Sequence, residues 1–135
     1  MDARIFVAYK TEEEGLFRAV QEALQASGYT VWSQDDLKGK LGGRNGRLAL
    51  NRLMDDADLT LVLWTKAASE SDEVWAEAEY VRNLPSADNT GRYLGVLIEP
   101  IRLGAPFNVA RRVDVTTTGL DGTGLAKIVD EVNAR

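Results

Sequence analysis

At 135 residues the chain has room for one folded unit whose core covers roughly two-thirds of the surface that an unfolded chain of this size exposes. Apolar residues at 44% and charged residues at 27% are ordinary globular usage, and a net charge of −5, with no basic run longer than Arg111-Arg112, leaves no electrostatic footprint for nucleic acid. With no cysteine and no histidine, disulfides, thiolate nucleophiles, imidazole bases and the common zinc ligands are excluded, so no metal site is expected and any chemistry rests on carboxylates, hydroxyls, amides and aromatic rings.

The opening, MDARIFVAYK, is a strand-like run flanked by charges rather than a signal peptide, and no apolar run approaches the ~20 residues that cross a bilayer. A soluble cytoplasmic protein with no membrane partner is the expectation. Arg4 to Tyr9 reads as a buried strand. Thr11 then reads as a helix cap followed by Glu12, Glu13 and Glu14, acids placed where the helix dipole favours them. Leu16, Phe17, Val20 and Leu24 form the apolar face of that helix, and Gly28 ends it. Tyr29 to Ser33 is the second strand. From Gln34 to Gly46 runs a loop holding Gly39, Gly42, Gly43 and Gly46, of a kind that is usually functional or mobile. It is not a phosphate loop of the G-x-x-x-x-G-K-[ST] type, since no Lys-Ser/Thr follows its second glycine.

A helix from about Arg47 to Asp55 carries Leu48, Leu50 and Leu53. Leu59 to Thr65 is a third strand, apolar almost throughout and so covered on both faces. A helix over Ser71 to Asn83, a turn-rich linker from Leu84 to Gly91 and a fourth strand over Tyr93 to Ile98 follow. Pro100 and Pro106 break the chain beyond it. Arg112 to Thr116 alternates like an edge strand, and Leu125, Ile128, Val129 and Val132 give the last helix its stripe. Strands alternating with helices imply a parallel sheet covered on both faces, and five strands in this length suggest one flavodoxin-like three-layer domain of order 2-1-3-4-5 spanning residues 1–135. Ligands bind such folds at the carboxyl ends of the strands, where Tyr9-Lys10, the loop from Ser33 to Asn45, Trp64-Thr65 and the start of the Ser71 helix gather.

On that helix Val74, Ala78 and Val81 make the apolar stripe, with Trp75 on one shoulder and Glu77 on the other, while Glu79 lies toward solvent. A carboxylate on the shoulder of a packed helix is half desolvated and aimed into a cleft, which favours Glu77 as a reactive acid. The plain alternative is that Glu73, Glu77 and Glu79 form a wet helix face. Strand-end residues exclude other uses of the fold. Lys10-Thr11 and Trp64-Thr65 stand where a phosphoacceptor receiver needs aspartates, and the acids after Thr11 would repel a flavin phosphate. What remains is a cleft with one placed glutamate, the aromatic rings of Tyr9, Trp32 and Trp64, and a Gly-rich rim. Cleaving an N-glycosidic bond whose leaving group is already cationic, such as nicotinamide, needs no acid to protonate it, so one carboxylate that steadies the developing oxocarbenium charge suffices.

The chain resembles the Toll/interleukin-1 receptor (TIR) domains. RIFVAYK is similar to the family's opening strand box, GYTVWSQDDL to its second strand and acidic loop entry, LMDDADLTLVLWT to the passage into its third strand, SDEVWAEAEYV to the helix bearing its glutamate, and RVDVTTTGLDG to its closing strand and turn. In TIR enzymes the catalytic glutamate ends a Ser-x-Trp-Val-x-x-Glu pattern. Ser71, Val74 and Glu77 fill that pattern, with Glu73 standing at the tryptophan position; taking Trp75 as the tryptophan would make Glu79 the acid instead. The loop after Trp32 also lacks the proline that many relatives carry. The resemblance implies an NAD-consuming domain of the bacterial immunity type, with NAD+ as substrate and no cofactor. It implies Glu77 (alternate Glu79) as catalytic acid and Tyr9, Lys10, Trp32, Ser33, Asp36, Trp64, Thr65 and Val74 as substrate-binding residues. It further implies self-association through TIR–TIR contacts and, beyond these residues, a fused sensor or oligomerisation domain. The other class in this family assembles signalling complexes without chemistry.

Overall fold

Apolar runs with no polar alternation and apolar stripes at helical spacing take turns along this chain, and each folds into the element its period dictates. The computed structural model describes residues 3–34, 43–85, 91–108 and 110–134, excepting the side chains of residues 43–47. Strands β1 (Arg4–Ala8), β2 (Thr30–Ser33), β3 (Leu59–Trp64), β4 (Tyr93–Leu97) and β5 (Arg112–Asp114) form one sheet in the order β2-β1-β3-β4-β5. Every neighbouring pair is parallel, with Val7 opposite Ser33 on one side of β1 and Leu61 on the other. This is the flavodoxin-like order that the alternation of elements predicts.

Helices α1 (Glu14–Ala26) and α5 (Gly122–Asn133) cover one face of the sheet, while α2 (Gly43–Asp56), the short α3 (Lys66–Ser69) and α4 (Asp72–Arg82) cover the other. Side-chain alternation sorts the core accordingly. Ile5, Val7, Leu61, Leu63, Leu94 and Val96 meet Phe17, Leu24 and Ile128 on the first face. Phe6, Ala8, Val62, Trp64, Tyr93 and Leu97 meet Met54, Val74, Ala78 and Val81 on the second. β3 and β4 are buried at every position, as two covered faces require.

Gly28 closes α1 where the sequence places it. At φ +94° its N–H reaches the Gln25 carbonyl (3.0 Å) and the Tyr29 N–H reaches the Leu24 carbonyl (3.1 Å), the paired bonds of a left-handed helix stop. Apart from shifts of one or two residues at other element ends, three features differ from expectation. Thr11 does not cap α1: residues Thr11–Glu13 form a 3-10 turn, the cap position falls on Glu13, and the Thr11 hydroxyl accepts instead from Gln34 Nε2 at 3.2 Å. α2 begins at Gly43 rather than Arg47, so Gly43 and Gly46 lie within a helix at a propensity cost of about 1 kcal/mol each, offset by the packing of Leu50, Leu53 and Met54 further along. α3 is a single turn, too short to show periodicity, with the Thr65 hydroxyl accepting from Ala68 N–H at 3.1 Å. The rest of the Gly-rich loop, with its missing proline, lies outside the described residues.

Candidate functional site

α4 carries the candidate acid. Ser71 caps it, its hydroxyl accepting from the Val74 N–H at 3.4 Å, and Asp72 and Glu73 occupy the first turn where the helix dipole favours them. The buried positions are Val74, Glu77, Ala78 and Val81, an i, i+3, i+4, i+7 row. Glu77 therefore stands on the buried stripe itself rather than on its shoulder, at only 4% exposure. Carboxylates are rarely buried so far, because removing the charged form from water costs several kcal/mol. Helix stability alone would have chosen a leucine here. Glu79 is exposed, and Trp75 is half-buried between Trp64 (5.3 Å) and Phe107 (5.0 Å), its Nε1 donating to the Ser69 carbonyl at 2.6 Å.

Beside Glu77 opens a hollow of about 130 Å³. Its walls come from four separate segments: Tyr9, Lys10 and Thr11 after β1, Gln34 after β2, and Leu50 on α2. Ser71, Glu73, Val74 and Glu77 from the start of α4 close it. The place follows from topology. From β1 the chain moves outward to β2 and then crosses back to β3, and the strand ends on either side of that reversal leave a crevice that no crossover fills. Lys10 is the cation of the lining, one-third exposed and 3.2 Å from Glu12, so the hollow sets two carboxylates against one ammonium. Gln34 braces the wall, its Nε2 donating to the Tyr9 carbonyl (3.3 Å) as well as to Thr11.

Of the residues singled out from sequence, Glu77, Val74, Tyr9 and Lys10 come together on this hollow. Tyr9 is nonetheless anchored in the core, its ring stacked on Phe17 at 4.7 Å and 5°. Trp32, Ser33, Trp64 and Thr65 do not line it. Trp32 is half-buried with the Arg4 guanidinium 5.8 Å from its ring, and Ser33 is buried at the end of β2. Trp64 points into the α2–α4 layer, fully buried, and donates from Nε1 to the Tyr93 hydroxyl at 2.7 Å. Thr65, besides capping α3, donates to Glu13 Oε1 at 2.5 Å and so ties the end of β3 to the turn after β1. Asp36 lies outside the described residues. Sequence reasoning did not name Thr11, Gln34, Leu50, Ser71 or Glu73 as lining; that Gln34 follows directly on the end of β2 is the signal that could have found it.

Among the described residues no group of three or more Asp or Glu could hold a metal ion, and no helix is long and apolar enough to cross a membrane. The sequence profile of the TIR domain matches residues 5–129. This chain belongs to the TIR domain family. No curated protein matches it. The match to the TIR domain takes in all five strands almost entire and runs through most of α5, so Glu77 and the hollow lie well inside it. TIR-family function takes two forms, signalling by assembly and cleavage of NAD.

Proposed function

We propose that this TIR domain is an NAD+ glycohydrolase that cleaves the bond between nicotinamide and ribose when copies of it associate, serving as an effector of bacterial immunity. The observation that carries this reading is Glu77: a carboxylate only 4% exposed that nevertheless lines a hollow at the carboxyl ends of the strands. In that low-dielectric setting its charge acts strongly on a neighbouring cation. As the C–N bond breaks, its electron pair leaves with nicotinamide, which departs neutral, and positive charge develops on the ribose ring. Glu77 stabilises that charge. Water then adds to the anomeric carbon and loses a proton, giving ADP-ribose, nicotinamide and H+. Lys10 on the rim is the cation suited to the diphosphate.

The test is release of nicotinamide from NAD+ by bead-clustered protein. Glu77→Gln, which keeps the shape and removes the charge, should lower turnover by at least about 10²-fold with an unchanged circular dichroism spectrum; turnover equal to the parent's would end the assignment. One observation favours the second reading, a scaffold that only assembles. A hollow of about 130 Å³ holds part of a dinucleotide, not the whole, against roughly 300–1,000 Å³ for ordinary ligand pockets. A pure scaffold would associate measurably and leave NAD+ intact at any protein concentration.

A further inference from the structure

The amide of Gln34 is wired in one direction. Its Nε2 donates to the Tyr9 carbonyl at 3.3 Å and to the Thr11 hydroxyl at 3.2 Å, which engages both amide protons. A backbone carbonyl only accepts, so the nitrogen must face Tyr9 and the orientation of the amide is fixed by the protein. Gln34 Oε1 is left as a buried acceptor with no hydrogen-bond partner among the described residues. Buried polar atoms in folded proteins are otherwise almost always paired. This one belongs to a residue that lines the hollow with Glu77.

We propose that Gln34 Oε1 is a ligand-binding group that accepts a hydrogen bond from a sugar hydroxyl, and that it makes the hollow selective for a ribosyl group. The assignment rests on the reading of this site as an NAD+-cleaving one, and narrows it. A phosphate brings an acceptor where an acceptor already stands and does not fit, and deoxyribose analogues separate a sugar hydroxyl from the one other donor nearby, the carboxamide N–H of nicotinamide. A hydroxyl brings the proton that Oε1 lacks. Hydroxyl donors presented to Gln34 and Glu77, which share the lining, would hold the sugar beside the carboxylate, while Lys10 takes up the phosphates.

The experiment is a functional-group cycle on bead-clustered full chain. NAD+ and its two analogues lacking the 2′- or the 3′-hydroxyl of the nicotinamide ribose are compared in the parent and in Gln34→Met, with kcat and KM read separately. In the parent one analogue should lose about tenfold or more in kcat/KM. In Gln34→Met that same analogue and NAD+ should differ by less than about twofold, because the acceptor is already gone. Equal losses from the two deletions, combining multiplicatively, would mean that Gln34 merely braces the Tyr9 segment, and would overturn the proposal while leaving NAD+ cleavage standing. The parent's response to the analogues needs no variant: if neither analogue is penalised, the proposal fails even should Gln34→Met not fold. If the parent cleaves no NAD+, the enzymatic reading fails by itself, and the cycle is run on calorimetric binding of ADP-ribose and its deoxy analogues. Coupling there upholds the role of Gln34; additivity or no binding overturns it.

Discussion

Tyr93 shows what burial does to a single ionisable ring. Buried at the start of β4 against Phe107, its hydroxyl is pushed up to about 12 by loss of water, with the hydrogen bond from the Trp64 indole acting the other way. A phenol raised in the fold above its unfolded value near 10 keeps its stabilising effect below pH ~10 and loses it as pH climbs toward ~12. A shift of that size corresponds to about 2–3 kcal/mol of unfolding free energy across the interval. Denaturant titrations at stepped pH should show that decline in the parent. Tyr93→Phe should remove this component while lowering stability near neutrality by about 1–3 kcal/mol, because the Trp64 N–H loses its acceptor. Tyr80, raised by its hydrogen bond to Asp55, leaves a residual alkaline slope in the same direction, which Tyr80→Phe should flatten. Within α4 the two candidate acids separate cleanly. Glu79 is exposed, so Glu79→Gln should keep parental nicotinamide release while Glu77→Gln loses it.

Elements differ in how openly the sequence declared them. β3 and β4 were plain because a strand covered on both faces must be apolar at nearly every position, and Leu59 to Trp64 is. α3 was hidden because one turn has no period. The start of α2 was hidden because Gly43 and Gly46 speak against a helix that later packing sustains. Glu77 was legible through the spacing of Val74, Ala78 and Val81, whereas the hollow was only partly so, since its walls are assembled from segments far apart in the chain. Trp64 and Thr65 stand at a strand end, where ligands gather, but parity turns the indole into the core and capping engages the threonine. Two substitutions probe these supports. Gly95→Ala would set a Cβ 2.6 Å from the Tyr93 hydroxyl and 3.3 Å from the Trp64 ring, so it should destabilise by about 1–3 kcal/mol in equilibrium unfolding. Ser71→Ala removes the cap of α4 and should lower stability by about 1 kcal/mol, read as a lower melting temperature.

At the scale of the whole molecule, the sheet order decides where chemistry is possible. At the reversal beside β1 the strand ends part and leave a hollow, and α4 delivers its buried carboxylate there. If association is what completes the site, total NAD+ cleavage should rise more than in proportion when protein is concentrated or crowded on beads, and a strictly constant specific activity would place the whole reaction in one copy. The aromatic cluster under α4 has an optical consequence. Trp75 rides on the same helix as Glu77, with its indole against Trp64 and Phe107, so the helix carries its own fluorophore. Any occupant of the hollow that shifts this helix will change the colour or brightness of ultraviolet emission, whereas one that fits without moving it will leave the spectrum dark to its arrival. Trp75→Phe, by silencing that reporter, tells which of the three indoles is speaking.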